Sequence, residues 1–149
     1  MALVSTKNRV PTHTVERVNE RIKRETELRV QKLASDPASI ATRLKGLDAE
    51  WDIERAIEAN ASVLVFAGVA LGYFAHPYWL ALPALVTAFL FQHAIQGWCP
   101  PVPILRRMRF RTVYEIEQER HALKALRGDY ESVARATDKA SAAIRAAEA

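Results

Sequence analysis

The chain has 149 residues, half of them hydrophobic, with 21 Lys and Arg against 17 Asp and Glu and a formal net charge of +4. So small an excess, with signs alternating closely in the N-terminal arm as in Glu16-Arg17 and Arg24-Glu25, argues against a nucleic-acid footprint. One cysteine, Cys99, excludes an intramolecular disulfide.

In chain order, the first apolar patch, Ala2-Leu3-Val4, is too short for the core of a signal peptide, and none is expected. A helix is expected over residues 14–33, with Val15, Val18, Ile22, Val30 and Leu33 as an imperfect stripe. Asp36-Pro37 then supplies N-cap and first-turn chemistry for a new helix, with Ile40, Leu44 and Leu47 on one side. Trp51, Ile53 and Ile57 follow as an interfacial entrance.

The distribution of charge matters more than its sum. Every Asp, Glu, Lys and Arg lies before residue 59 or after residue 105, so the near-zero mean hydropathy of -0.10 averages an apolar block with two polar arms. A helix rising about 1.5 Å per residue needs roughly 20 apolar residues to cross a hydrocarbon core of about 30 Å. The block accommodates two, over residues 57–75 and 78–98. A soluble domain would need a wetted face on each helix, so the membrane reading is preferred to that of a soluble core hairpin.

His76 and Pro77 mark the turn, as cap and first-turn residue, and Tyr78 and Trp79 suit a headgroup interface. Pro83 is expected to kink the second span or to mark an irregular first turn. Gly68 and Gly72 form a GxxxG pair that Asn60 and Leu64 extend along one face. That face packs on the second span or on another copy. Gln92, His93 and Gln96 are the polar residues of the second span, and they find water, Asn60 or one another. No histidine stands at a helical partner spacing from His93, so no haem, metal or other cofactor is expected. His13 and His121 are expected on solvated arms.

The prolines at 100, 101 and 103 end the second span. Beyond them Arg106, Arg107, Arg109 and Arg111 surround Met108 and Phe110, a patch expected to lie on anionic lipid headgroups. With Arg55 before the first span and no Lys or Arg in the turn, both arms are expected in the cytoplasm. From residue 112 a heptad is legible, with Ile116, Leu123, Leu126, Tyr130 and Val133 in the proposed coiled-coil seam and Thr137, Ala140, Ile144 and Ala147 continuing it. Gly128-Asp129 is its weak point. The seam would pair with the N-terminal arm or with a second subunit.

The expected architecture is therefore all-α, a two-helix transmembrane hairpin with N- and C-terminal cytoplasmic helices. Its parts are an arm over residues 1–52, the hairpin over 53–105, and a basic segment with heptad helix over 106–149.

Ile53-Glu54-Arg55, Gly68, His76-Pro77 with Trp79, and Gly97-Trp98-Cys99-Pro100 resemble the YgaP-like transmembrane domain family, small bacterial inner-membrane hairpins of unknown function. The likeness runs over residues 52–112, and this chain departs from the commoner pattern at Pro101, Pro103, Arg106 and Arg107. Some members are fused to a rhodanese, a sulfurtransferase; strand-like alternation and a second cysteine are both missing from this sequence. The resemblance implies bacterial inner-membrane placement and possible dimerisation, and it transfers no catalytic activity.

The functional expectation is a noncatalytic anchor or assembly module that self-associates, as a dimer or other homo-oligomer, or binds a protein partner through its cytoplasmic helices. The alternative is a membrane-associated thiol or persulfide relay at Cys99 linked to sulfur metabolism, against a packing role for that residue. Small-solute transport ranks last, because the spans offer no ionisable pathway beyond His93.

Overall fold

The computed structural model describes residues 5–148, and Ala2-Leu3-Val4 lies outside them. Among the described residues every regular element is helical. They are α1 (Arg9–Thr12), α2 (Glu16–Ala34), α3 (Ile40–Ala49), α4 (Ile53–Phe74), α5 (Ala81–Gln96), α6 (Val102–Arg107), α7 (Val113–Arg127), α8 (Glu131–Arg135) and α9 (Lys139–Glu148), with 3-10 turns at Pro37–Ser39 and Pro77–Leu80. The chain forms two compact units, one from the residues up to Ile22 with Trp51–Tyr114, the other from Lys23–Glu50 with Glu115–Ala149.

In the first unit, α4 and α5 form an antiparallel hairpin. Asp52 caps α4 by accepting the Arg55 amide at 2.9 Å, which satisfies one of the free donors of a helix start. At the turn, His76 Nδ1 accepts the Tyr78 amide at 3.3 Å and Pro77 opens the 3-10 turn, the cap-and-proline arrangement legible in the sequence. Pro83 falls in the first turn of α5, where its missing amide costs no hydrogen bond, so the irregular start accounts for it in place of a kink.

The glycine face packs within the chain. A Cβ on Gly68 would stand 2.5 Å from Pro83 Cδ, and one on Gly72 would stand 2.6 Å from Leu80 Cδ2. Small side chains here let the two backbones approach. Asn60 does not reach across; it donates to Ala56 O at 2.7 Å on its own helix.

The core of this unit sits at the end of the hairpin away from the turn. Val10, Ile53, Ala56, Ile57, Cys99, Val102 and Leu105 form it, with Phe89, Leu90 and Phe110 packed against them. Each fully buried aliphatic side chain contributes about 1.5–3 kcal/mol. The prolines expected to end the second span do not leave an open exit: Gly97 stops α5 before them, and the chain turns and restarts as α6, with Pro101 at its N-cap.

Two of the four arginines expected at the headgroups turn inward. Arg106 is fully buried, donating to Asn19 Oδ1 at 2.8 Å and to Phe110 O at 3.1 Å, and Arg111 is buried as well. Arg107 and Arg109 remain exposed. Asn19 also donates to Pro11 O at 2.9 Å, so one amide side chain joins the end of α1 to Arg106. A buried guanidinium needs such acceptors, because its charge cannot be shed by deprotonation.

In the second unit Ile40, Leu44, Leu47, Ile116 and Leu123 form the core, with Val30 and Leu33 against it. Asp36 restarts the chain as expected, but its carboxylate receives the Ser39 hydroxyl at 2.5 Å instead of capping a backbone amide. Glu119, fully buried, accepts from Arg43 Nε at 2.7 Å and Nη2 at 3.1 Å, and from Arg29 Nε at 3.3 Å and Nη2 at 3.2 Å. His121, expected to be solvated, is exposed and meets the Tyr130 hydroxyl at 2.7 Å.

The heptad does not run on as one seam. Ile116 and Leu123 are buried, whereas Leu126 is 47 % exposed and Ile144 60 % exposed, with Tyr130 and Val133 half-buried. The break is at Gly128, whose φ of 85° ends α7. Glycine is cheap in this left-handed position, and a helix stops there more readily than it continues.

Asp129 accepts from Arg127 at 2.7 and 2.5 Å just past that stop, and the bonded guanidinium holds its carboxyl below the ordinary aspartate value of 3.8. A lowered folded-state value means stabilisation present above the unfolded value and lost as pH falls through the folded one. Protection of the amides at the end of α7, relative to their intrinsic exchange rates, is therefore expected to fall below about pH 3.8, and Asp129→Asn should remove that pH step. An unchanged step in the variant would assign it to another carboxylate.

Candidate functional site

The polar residues of the hairpin converge at the core end. His93, on the last turn of α5, is 4 % exposed. Its Nε2 lies 2.6 Å from Glu54 Oε2, and Glu54, in the first turn of α4, also accepts from Arg9 Nη2 at 2.9 Å. Arg9 further donates from Nη1 to Ala94 O at 3.0 Å, one of the free carbonyls at the end of α5. Thus α1, which the sequence pattern does not reveal, docks Arg9 against both helices of the hairpin.

Gly97 makes this docking possible. Its φ of 77° terminates α5, its amide N–H donates to His93 O at 2.7 Å, and a Cβ there would lie 2.5 Å from the Arg9 carbonyl carbon and oxygen. The left-handed residue reverses the chain and brings Cys99 back beside the imidazole it has just left. The thiol is 2 % exposed. His93 Nδ1 is buried with no hydrogen-bond partner of ordinary geometry.

Nε2 of His93 faces the Glu54 carboxylate, and the buried Nδ1 has no hydrogen-bond partner. Acid, imidazole and thiol are the residue types from which activated nucleophiles are built. Among the described residues no three His, Cys, Asp or Glu side chains are placed to share a metal ion.

An apolar groove of about 260 Å³ lies between α4 and α5, lined by Ile57, Ala61, Leu64, Val86, Phe89 and Cys99. Leu64, expected in a helix contact, lines this groove and is 45 % exposed.

Sequence reasoning singled out Cys99 and His93 separately and missed their pairing. Helical spacing from His93 searches the wrong direction, since Gly97 breaks the helix between the two residues. The glycine four positions after the histidine was the available signal. Glu54 was legible only as a flanking charge.

Comparison with known proteins found no matching family model, no similar curated protein and no similar solved structure.

Proposed function

We propose that the chain is an integral membrane anchor whose α4 and α5 cross a bilayer as a hairpin, with both arms in the cytoplasm of a bacterium. The observation that carries this reading is the outer surface of the hairpin. Both helices are long and apolar enough to cross a membrane, and little of either is buried within the protein. Phe66, Tyr73, Phe74, Tyr78 and Phe91 are each at least 70 % exposed. A soluble monomer rarely leaves so much contiguous apolar surface in water, whereas lipid covers it at no cost.

The ends suit the same placement. Tyr73, Tyr78 and Trp79 cluster at the turn, and Arg55, stacked over Trp51 at 4.6 Å, stands at the other end with exposed Arg107 and Arg109. Aromatic residues at both interfaces and arginine on one side favour a cytoplasmic location for the charged end, with anionic headgroups as its contacts. The resemblance to YgaP-like hairpins points to the same membrane. Leu28, Leu126 and Ile144 offer exposed apolar contacts on the helical arms for a protein partner or a second copy, since the glycine face is occupied by α5.

After alkaline carbonate washing the protein should stay with the membrane pellet. A cysteine introduced by Tyr78→Cys should react with an impermeant maleimide from outside the cell, and Thr137→Cys only after the membrane is opened. Release into the carbonate supernatant would end the membrane reading, and the reverse labelling pattern would invert the topology.

Thiol chemistry at Cys99 is a second reading, favoured by the buried thiol and by the buried His93 imidazole held by Glu54 in the same unit.

A further inference from the structure

We propose that residues 5–14 form a releasable strap across the charged end of the hairpin, with the Arg9–Glu54 ion pair as its catch, and that its opening governs access to the buried core end around Gly97 and Cys99. The inference goes beyond the membrane reading and lies wholly within the unit built from the residues up to Ile22 with Trp51–Tyr114.

The strap has little stability of its own. Its helix, α1, is four residues long and has no side-chain cap, against the roughly 12–15 residues at which an isolated helix becomes even marginal in water. Its amides bond locally: Asn8 and Arg9 N–H donate to Ser5 O, Thr12 N–H to Asn8 O, His13 N–H to Val10 O and Thr14 N–H to Pro11 O. Among the described residues no backbone hydrogen bond ties it to α4, α5 or α6.

Side chains alone join it to the rest of the unit. Val10, fully buried, packs in one cluster with Ile53, Cys99 and Val102. Arg9 donates to Glu54 at 2.9 Å and to Ala94 O at 3.0 Å, and Asn19 donates to Pro11 O at 2.9 Å. The catch is within reach of water, since the Arg9 and Glu54 side chains are 24 % and 26 % exposed.

Opening leaves no buried charge stranded. Glu54 keeps its contact with His93 Nε2 at 2.6 Å, Arg9 passes into water, and Ala94 O is a helix-end carbonyl that water satisfies. The contrast is with Glu119, whose release from Arg29 and Arg43 would orphan a fully buried carboxylate. A segment held by one core side chain and a few solvent-reachable polar bonds opens without unfolding the helices beneath it. What it covers is otherwise closed. The Arg9 backbone lies against Gly97, where a Cβ would stand 2.5 Å from it, and the thiol in the Val10 cluster is buried.

Cys99 is the one cysteine of the chain, so a single label reports on opening. Full-length protein in detergent micelles is followed by amide hydrogen exchange and by reaction with a small water-soluble maleimide. In the wild type we expect the amides of Arg9, Thr12 and His13 to be at least about 100-fold less protected than those in the middle of α4 and α5, as befits a local opening. Arg9→Gln should speed labelling of Cys99 by about tenfold or more while protection in the middle of α4 and α5 stays at the wild-type level. Arg9→Lys, which keeps a cation for Glu54, should fall between the two. Strap amides as well protected as those of α4 and α5 would overturn the proposal on the wild-type protein alone, whatever the variants do. It is equally overturned if Arg9→Gln leaves the labelling rate unchanged. Loss of protection throughout α4 and α5 in that variant would also overturn it, because Arg9 would then support the hairpin and not merely latch the strap. Both measurements are made in micelles, so they stand apart from the carbonate and topology tests of the membrane reading.

Discussion

Replacing Glu119 by Ala should destabilise the unit built from Lys23–Glu50 and Glu115–Ala149 by about 3–5 kcal/mol, the usual cost of removing one member of a buried ion pair. Glu119 is fully buried and takes four hydrogen bonds from Arg29 and Arg43. The loss would leave two guanidinium groups, 36 % and 26 % exposed, facing each other without the intervening carboxylate. Glu119→Gln should cost less than Glu119→Ala, because it keeps one acceptor oxygen, while its amide NH2 replaces the other and meets arginine donors. Hydrogen exchange in the full-length protein measures this directly, with α3 and α7 losing protection together. A variant within about 1 kcal/mol of the wild type would show that the clamp is a weakly coupled surface pair of the kind that contributes little.

Gly97→Ala should have the next largest effect, confined to the other unit. A non-glycine residue in a sparsely populated backbone region costs about 1–3 kcal/mol, and at φ 77° alanine is in that position. Steric conflict adds to this, since the new Cβ would stand 2.5 Å from the Arg9 carbonyl. Backbone on both sides leaves no flexible side chain to give way. Relief requires α1 to withdraw, which also opens the bonds from Arg9 to Glu54 and Ala94 O. The readout is the Cys99 thiol, 2 % exposed in the native protein. Its reaction with a small maleimide in detergent micelles should rise at least tenfold in the variant, in step with a fall in melting temperature. A thiol as unreactive as before, in a protein equally stable, would refute the close packing of α1 on Gly97.

These two expectations concern features of different legibility. The end of α5 was visible from three closely spaced prolines, yet Gly97 stops the helix before them, and only the Arg9 backbone behind it makes glycine obligatory. Glu119 lay among exposed-looking charges of a heptad helix, and its partners are 76 and 90 residues away. The heptad itself misled beyond Leu123. Its spacing is a property of helix, and it persisted through Gly128, where the helix does not. Arg106 and Arg111 illustrate the same limit: a run of arginines after an apolar segment is the ordinary sign of a lipid surface, yet both are buried, and Arg106 depends on acceptors supplied by Asn19 and the Phe110 carbonyl.

What the amino-acid order determined by itself is the all-helical class, the two long apolar helices and the His76-Pro77 turn between them. Those features are local: helix length, charge spacing and caps act within a few residues, so neighbouring side chains suffice to specify them. The tertiary structure alone decided that Glu54, His93 and Cys99 form one constellation, that Arg9 secures it, and that Glu119 is clamped by two arginines. Charged and polar groups are satisfied by whatever the packed helices bring within about 3 Å, and that pairing depends on helix facing and register, which periodicity within a single segment does not encode.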